Sequence, residues 1–95
     1  MPRIVLASQL ARWLPDASEQ RDFVIAVRGA TLGEALRDAF AQHPALRGYV
    51  VDEHGVVRHH VAVFVDGTSI RDKRALDDAL RDDSEVHVMQ ALSGG

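Results

Sequence analysis

The sequence predicts an α+β domain of two layers, a mixed sheet of four to five strands with one main helix packed on one face. Three stretches carry that prediction. Thr31-Leu32-Gly33-Glu34 opens an amphipathic helical pattern. Val61-Ala62-Val63-Phe64-Val65 is a β-branched run, and Glu85-Val86-His87-Val88-Met89 alternates with the period of two expected of a half-buried strand. A single helix with one apolar stripe buries it best against a sheet.

Taken in order, Ile4-Val5-Leu6-Ala7 follows Pro2 and reads as the first strand. Its unbroken apolar character suggests burial on both faces, as in a central strand. Leu10, Trp13 and Leu14 have helical spacing, yet Pro15-Asp16 closes the segment. We read it as a loop or single turn whose Trp13 covers one edge of the core, with the polar stretch Asp16 to Asp22 as a hairpin tip. Phe23-Val24-Ile25-Ala26-Val27 is the second strand, with Phe23, Ile25 and Val27 on one face and Val24 and Ala26 on the other. Gly29 breaks it.

Thr31 with Glu34 three residues later is a capping box, in which each side chain satisfies a free backbone N–H at the helix start. Leu32, Ala35, Leu36, Ala39 and Phe40 then follow one helical face. Full burial of Leu36 and Phe40 is worth roughly 1.5–3 kcal/mol each. His43-Pro44 ends the helix, because a residue before proline is pushed out of the helical region. Leu46 to Val51 leads into a turn at Asp52-Glu53-His54-Gly55, and Val56-Val57 leads out, as a small hairpin or an irregular crossover.

In the next strand Val61, Val63 and Val65 face the core, while His60, Ala62 and Phe64 face away. Asp66-Gly67 turns the chain, Ile70 plugs the core, and Arg71-Asp72-Lys73-Arg74 is solvated. Leu76 and Leu80 suggest a short helical or 3₁₀ piece, and Asp82-Asp83-Ser84 a second turn. In the last strand Val86 and Val88 point in, and His87 and Met89 point out. If that strand inserts beside the first in parallel, in the middle of the sheet, the arrangement is a β-grasp.

Composition narrows the function. The formal net charge is -3 with both signs interspersed, which argues against nucleic acid, since phosphate binding needs a basic stripe. No apolar run approaches a membrane span and the start lacks a signal-peptide layout, so a cytoplasmic protein without a membrane partner is expected. There is no cysteine, which excludes disulfides, thiolate metal sites and a cysteine nucleophile. Ten of the eleven basic residues are arginines, and Lys73 is the only lysine.

The sequence closes with Ala91-Leu92-Ser93-Gly94-Gly95. Two glycines make a thin thread that can enter a channel where any Cβ would collide, and the carboxylate of Gly95 is the only reactive group there. We expect a folded domain over 1–90 and a flexible tail over 91–95, with Gly94 and Gly95 as the chemical site. The bland alternative is a frayed end. Phe64, Ala62 and Met89 on the outer sheet face, with Ala91 and Leu92 at the tail root, form the expected docking surface.

From Val27 onward the chain resembles the ubiquitin-like sulfur-carrier family, of the molybdopterin synthase small subunit and thiamine sulfur-carrier type. The resemblance lies in Gly29-Ala30-Thr31-Leu32, Val61-Ala62-Val63-Phe64-Val65-Asp66-Gly67, Ile70-Arg71, the Leu76 and Leu80 pair, and Ser84-Glu85-Val86 leading to Gly94-Gly95. It implies the β-grasp fold and a carrier that is not itself an enzyme and binds no cofactor. An E1-like adenylyltransferase would use ATP to adenylate the Gly95 carboxylate. A sulfur donor enzyme would then convert it to a thiocarboxylate, and a sulfur-accepting synthase, such as a molybdopterin synthase large subunit, would take the sulfur. Two positions depart from the family pattern. Asp83 stands where a glycine is usual, and since aspartate tolerates a left-handed conformation better than most residues the turn is expected to survive; Gln90 stands where a proline is common. A ubiquitin-like modifier joined through Gly95 to target lysines, an inert interaction domain, and the small subunit of a heteromeric enzyme remain open alternatives.

Five histidines invite a metal hypothesis. His59 and His60 face opposite sides of a strand and cannot chelate together; His60 and His87 become neighbours only if their strands pair, and a third ligand is wanting. No metal is expected. Asp66, Asp72, Asp77, Asp78, Asp82 and Asp83 lack the alternation of a calcium loop and read as turn and cap residues.

Overall fold

The computed structural model describes residues 1–7 and 23–90. The expectations for Trp13, the hairpin tip and the 91–95 tail lie outside the described residues. Strand β1 (Arg3–Leu6) pairs antiparallel with β2 (Phe23–Ala26), with Ile4 opposite Ile25 and Val5 opposite Val24. Ile4 and Leu6 are fully buried, but Val5 is only half-buried. The expected burial of β1 on both faces is therefore corrected, because the helix layer covers one face of the sheet and the other is open.

Helix α1 (Leu32–Gln42) starts as its sequence dictates. Thr31 Oγ1 accepts from the Glu34 N–H at 3.3 Å, and Glu34 Oε1 accepts from the Ala30 N–H at 2.8 Å. The glutamate thus reaches one residue past the cap, a variant of the expected capping box. Leu32, Ala35, Leu36 and Ala39 are buried; Phe40 packs at the core's edge and is only half-buried, short of the burial expected for it. Gly29 lies against the helix start at φ +153°, where an added Cβ would sit 2.7 Å from the Ala35 nitrogen.

Past His43 the stretch that leads into the Asp52 turn carries helical structure not assigned from the sequence. A 3₁₀ turn (Pro44–Leu46) and a one-turn helix α2 (Arg47–Val50) follow, burying Leu46 and Val50. Pro44 at the start of the turn and the four-residue Leu46–Val50 spacing are the cause. Val51 and Val57 form an isolated antiparallel bridge around the Asp52 turn. The Asp52 carboxylate accepts from the N–H groups of Val56 and His54 and is held below its ordinary range, the Val56 N–H contributing most.

Strand β3 (Val61–Val65) turns at Asp66 (φ 50°) and Gly67 (φ 86°) into the two-residue β4 (Thr68–Ser69), a left-handed pair typical of tight hairpins. Strand β5 (Glu85–Gln90) lies between β1, to which it is parallel, and β3, to which it is antiparallel. The sheet order is β2-β1-β5-β3-β4, so the final strand occupies the middle as expected, and the fold is a ubiquitin-like β-grasp. Val61, Val63, Val86 and Val88 are buried beneath α1; Val65 is half-buried.

The connection from 70 to 84 departs most from expectation. Leu76 and Leu80 are not helical, and Leu76 takes φ 51°. The first N–H groups of α1 draw this segment in: Leu32 N–H donates to the Asp78 carbonyl at 2.9 Å and Gly33 N–H to the Leu76 carbonyl at 2.8 Å. A helix start has free donors, and here an extended strip of backbone satisfies them. Lys73, expected to be solvated, is half-buried, with Nζ donating to the carbonyls of Val61 (2.8 Å), Arg58 (3.2 Å) and His59 (3.3 Å). Asp72 accepts from the N–H groups of Arg74 and Ala75, which lower its carboxyl pKa in that order. The turn at Asp82-Asp83 forms as expected, and without a left-handed residue at Asp83; among the described residues the left-handed non-glycine residues are Asp66 and Leu76.

Candidate functional site

Alternation in β5 puts Val86 and Val88 into the core and leaves Glu85, His87 and Met89 on the outer face. Register partners share a face, so Met89 lies beside Ala62 and His87 beside Phe64 on β3. On the other flank of β5, Val5 stands opposite His87 and Arg3 opposite Glu85, and Val24 on β2 continues the row beyond Val5. The structure therefore brings Ala62, Phe64 and Met89 together on one open face, all three half-buried. Ala91, Leu92, Gly94 and Gly95 lie outside the described residues. Gln90, opposite Val61, is the last described residue before them.

This face is graded along the strands. At its start β5 carries an ion pair between Arg3 and Glu85, and His87 Nε2 lies 3.8 Å from the same glutamate. At its finish, beside Gln90, the pair Ala62–Met89 is apolar. The base of β5 is pinned by Asp66, whose carboxylate accepts from the Glu85 N–H at 2.9 Å and the Ser84 hydroxyl at 2.8 Å. Those two bonds, the backbone one first, hold the Asp66 carboxyl below its ordinary range. Ser84 is buried, and its oxygen also accepts from the Arg81 N–H.

Val5 and Val24 extend the apolar row but were not grouped with it in the sequence. Val24 is 53% exposed, large for a valine in a sheet. Outward alternation was legible for Val24 but not for Val5, whose strand read as buried on both faces; what places both in the row of His87 and Phe64 is the insertion of β5 between β1 and β3. His60 does not join His87, whose partner on β3 is Phe64. His59 and His60 sit in a turn before β3, not on a strand, and their rings meet edge to face at 5.7 Å. Among the described residues no group of three or more metal-ligating side chains converges, and no helix is long and apolar enough to cross a membrane.

The ThiS family model matches residues 13–95. The chain belongs to the ThiS family. Its fold is shared by SAMP1 from Haloferax volcanii, which is 28% identical with a TM-score of 0.72, the match covering 99% of this chain and 98% of that one. CysO from Mycobacterium tuberculosis is 20% identical with a TM-score of 0.77, over 97% and 100% of the two chains. The Amycolatopsis orientalis BexX/CysO complex gives a TM-score of 0.79 at 18% identity, with both chains covered in full. Curated protein sequences gave no match. The ThiS-family chain thus has the ubiquitin-like β-grasp fold, and its open sheet face includes β5, the strand that precedes residues 91–95 in the sequence.

Proposed function

We propose that this ThiS-family chain is a sulfur carrier that acts as co-substrate of partner enzymes and is not a catalyst. The carrying observation is that the family match spans β5 and continues through Gly94 and Gly95, so the di-glycine belongs to the matched pattern. In this reading an E1-like adenylyltransferase directs the Gly95 carboxylate onto the α-phosphorus of ATP, and pyrophosphate leaves. A carboxylate resists nucleophiles until its oxygen becomes a good leaving group. Hydrosulfide supplied by a donor enzyme then attacks the acyl carbon, the acyl–oxygen bond to AMP breaks, AMP departs, and a thiocarboxylate results. That group delivers sulfur to a small-molecule precursor on a sulfur-accepting synthase, in the cytoplasm. The carrier supplies reach through Gly94 and Gly95 and docking through Phe64, Ala62 and Met89, continued by Ala91 and Leu92.

A protein partner is in keeping with the appearance of CysO in a complex with BexX. A second reading, conjugation of Gly95 to target lysines, draws on the 28% identity to SAMP1, a small archaeal modifier protein.

The test exploits the absence of cysteine. The protein purified from its native host is treated with a thiol-specific alkylating reagent and read by intact mass and C-terminal fragmentation. An adduct on Gly95 is the expected result. Its absence after incubation with ATP, a sulfur donor and the host's E1-like enzyme, together with protein adducts bearing the chain, would favour the modifier reading. Phe64→Asp is expected to slow thiocarboxylation roughly tenfold or more, as loss of an interface anchor does.

A further inference from the structure

Between α1, the Asp52 turn and the strip at 74–76 lies a half-open cleft of about 270 Å³. Leu36, Phe40 and Leu76 supply apolar surface, and Arg37, Arg47 and Arg74 contribute three guanidinium groups. None of these three forms an ion pair among the described residues, where the paired arginines are Arg3 and Arg81. The nearby carboxylates are committed elsewhere. Asp52 and Asp72 accept backbone N–H groups of their own turns, Glu34 accepts that of Ala30, and Asp38 that of Arg28; Asp72 also feels the Arg74 charge, the smallest of the causes that lower its carboxyl, without an ion pair between them. A chain of net charge -3 therefore keeps a local positive rim around an apolar floor.

We propose that this cleft docks an acidic segment of a partner protein, in which one large apolar side chain flanked by carboxylates seats between the arginines. The occupant follows from size and charge. The volume falls just below the roughly 300–1,000 Å³ of pockets that enclose a drug-sized ligand, and suits one or two side chains. An apolar anchor in a pocket with complementary charges around it is how short segments gain both affinity and orientation. Three unpaired guanidiniums select carboxylates and reject a basic segment. The cleft belongs to the helix layer, on the side of the sheet opposite Phe64 and Met89, so a partner held here leaves the outer face free. The proposal does not rest on the carrier chemistry of Gly95.

The experiment is an amide and Arg Nε chemical-shift titration of the isotopically labelled full chain. The probe is a short peptide carrying one phenylalanine between glutamates; a lysine-flanked version and inorganic phosphate are run alongside. The expected result is saturable shifts confined to Gly33, Arg37, Phe40, Arg74, Ala75 and Leu76 with the acidic peptide, and none with the basic one. R37E/R74E is expected to weaken binding by about tenfold or more. Both side chains are exposed and unpaired, so the variant should keep the wild-type spectrum elsewhere; R37Q/R74Q serves as the milder version. Absence of localised shifts, equal response to the basic peptide, or the same shifts at the same affinity with phosphate alone would each overturn the proposal.

Discussion

In the centre of the sheet, Ile4, Leu6, Val61, Val63, Val86 and Val88 are each at most 1% exposed and meet α1 as a continuous apolar layer. Between Asp66 and Ser84 the chain is longer than three of those strands together, yet Ser84 is its only buried residue. That connection is ordered by polar groups that grip backbone. Lys73 reaches three carbonyls, Asp72 two N–H groups, and Asp66 one N–H and one hydroxyl. The first region is held by water's exclusion; in the second Ile70, Leu76 and Leu80 lean on the core while specific, exposed or partly buried hydrogen bonds fix the path. The two should fail differently under mutation, salt and pH.

The largest expected effect lies in the sheet. Ile4→Ala removes a fully buried branched side chain and is expected to cost about 2–5 kcal/mol of unfolding free energy, read from urea denaturation. Val24→Ala, on the outer face and 53% exposed, should stay within about 0.5 kcal/mol. If the two were equal, the contrast between a covered and an open sheet face would be wrong.

Lys73 tests the other region. Lys73→Met keeps the aliphatic stem but takes the Nζ donor away from the carbonyls of Arg58, His59 and Val61, for an expected loss of about 1–2 kcal/mol, limited because the Arg58 carbonyl keeps the Val61 N–H and water can replace part of the contact. Lys73→Arg preserves charge, yet a planar fork does not match three carbonyls converging on one point, so rescue should be partial. Full rescue by arginine would show that charge alone matters. Differential hydrogen exchange at Val57 and Val61 gives a local reading, since Val57 N–H donates to the Lys73 carbonyl and Val61 N–H to that of Arg58.

The same contrast explains what the sequence disclosed. Strand and helix faces follow from side-chain period, so Ile4, Ile25, Leu36, Val63 and Val88 were legible as core, and Thr31 with Glu34 as a helix start. The central place of β5 was legible too, since one helix over a mixed sheet leaves few alternatives. Leu76 and Leu80 misled because their spacing is helical, while the free N–H groups of Leu32 and Gly33 impose an extended path on that segment. Lys73 read as solvent-facing because no local pattern reveals that Arg58, His59 and Val61 turn their carbonyls toward it. Of the docking face, Ala62, Phe64 and Met89 were legible from alternation, but Val5 and Val24 join it only through strand order. The arginine-rimmed cleft is assembled from Arg37, Arg47 and Arg74 on three separate segments, and no sequence window contains it.

The smallest expected effect, and the sharpest probe of the polar region, is acidification. Asp66 has its folded pKa lowered, chiefly by the Glu85 N–H and then by the Ser84 hydroxyl, and Asp52 and Asp72 are lowered by N–H groups of their own turns. A carboxyl whose folded pKa lies below its unfolded value of about 3.9 adds stability above that value and loses it as pH falls through the folded one. Urea midpoints measured from neutral pH downward should therefore hold until about pH 4 and decline below it. Asp66→Asn keeps a residue that tolerates the left-handed φ of 50° and retains one acceptor oxygen, but removes the titration. It should lower the midpoint slightly at neutral pH and flatten the acid limb in part, leaving the share due to Asp52 and Asp72. An unchanged acid limb in Asp66→Asn would mean that the Asp66 carboxylate does not pin β5 to the turn, and that Ser84 and the strand pairing suffice to fix where β5 begins.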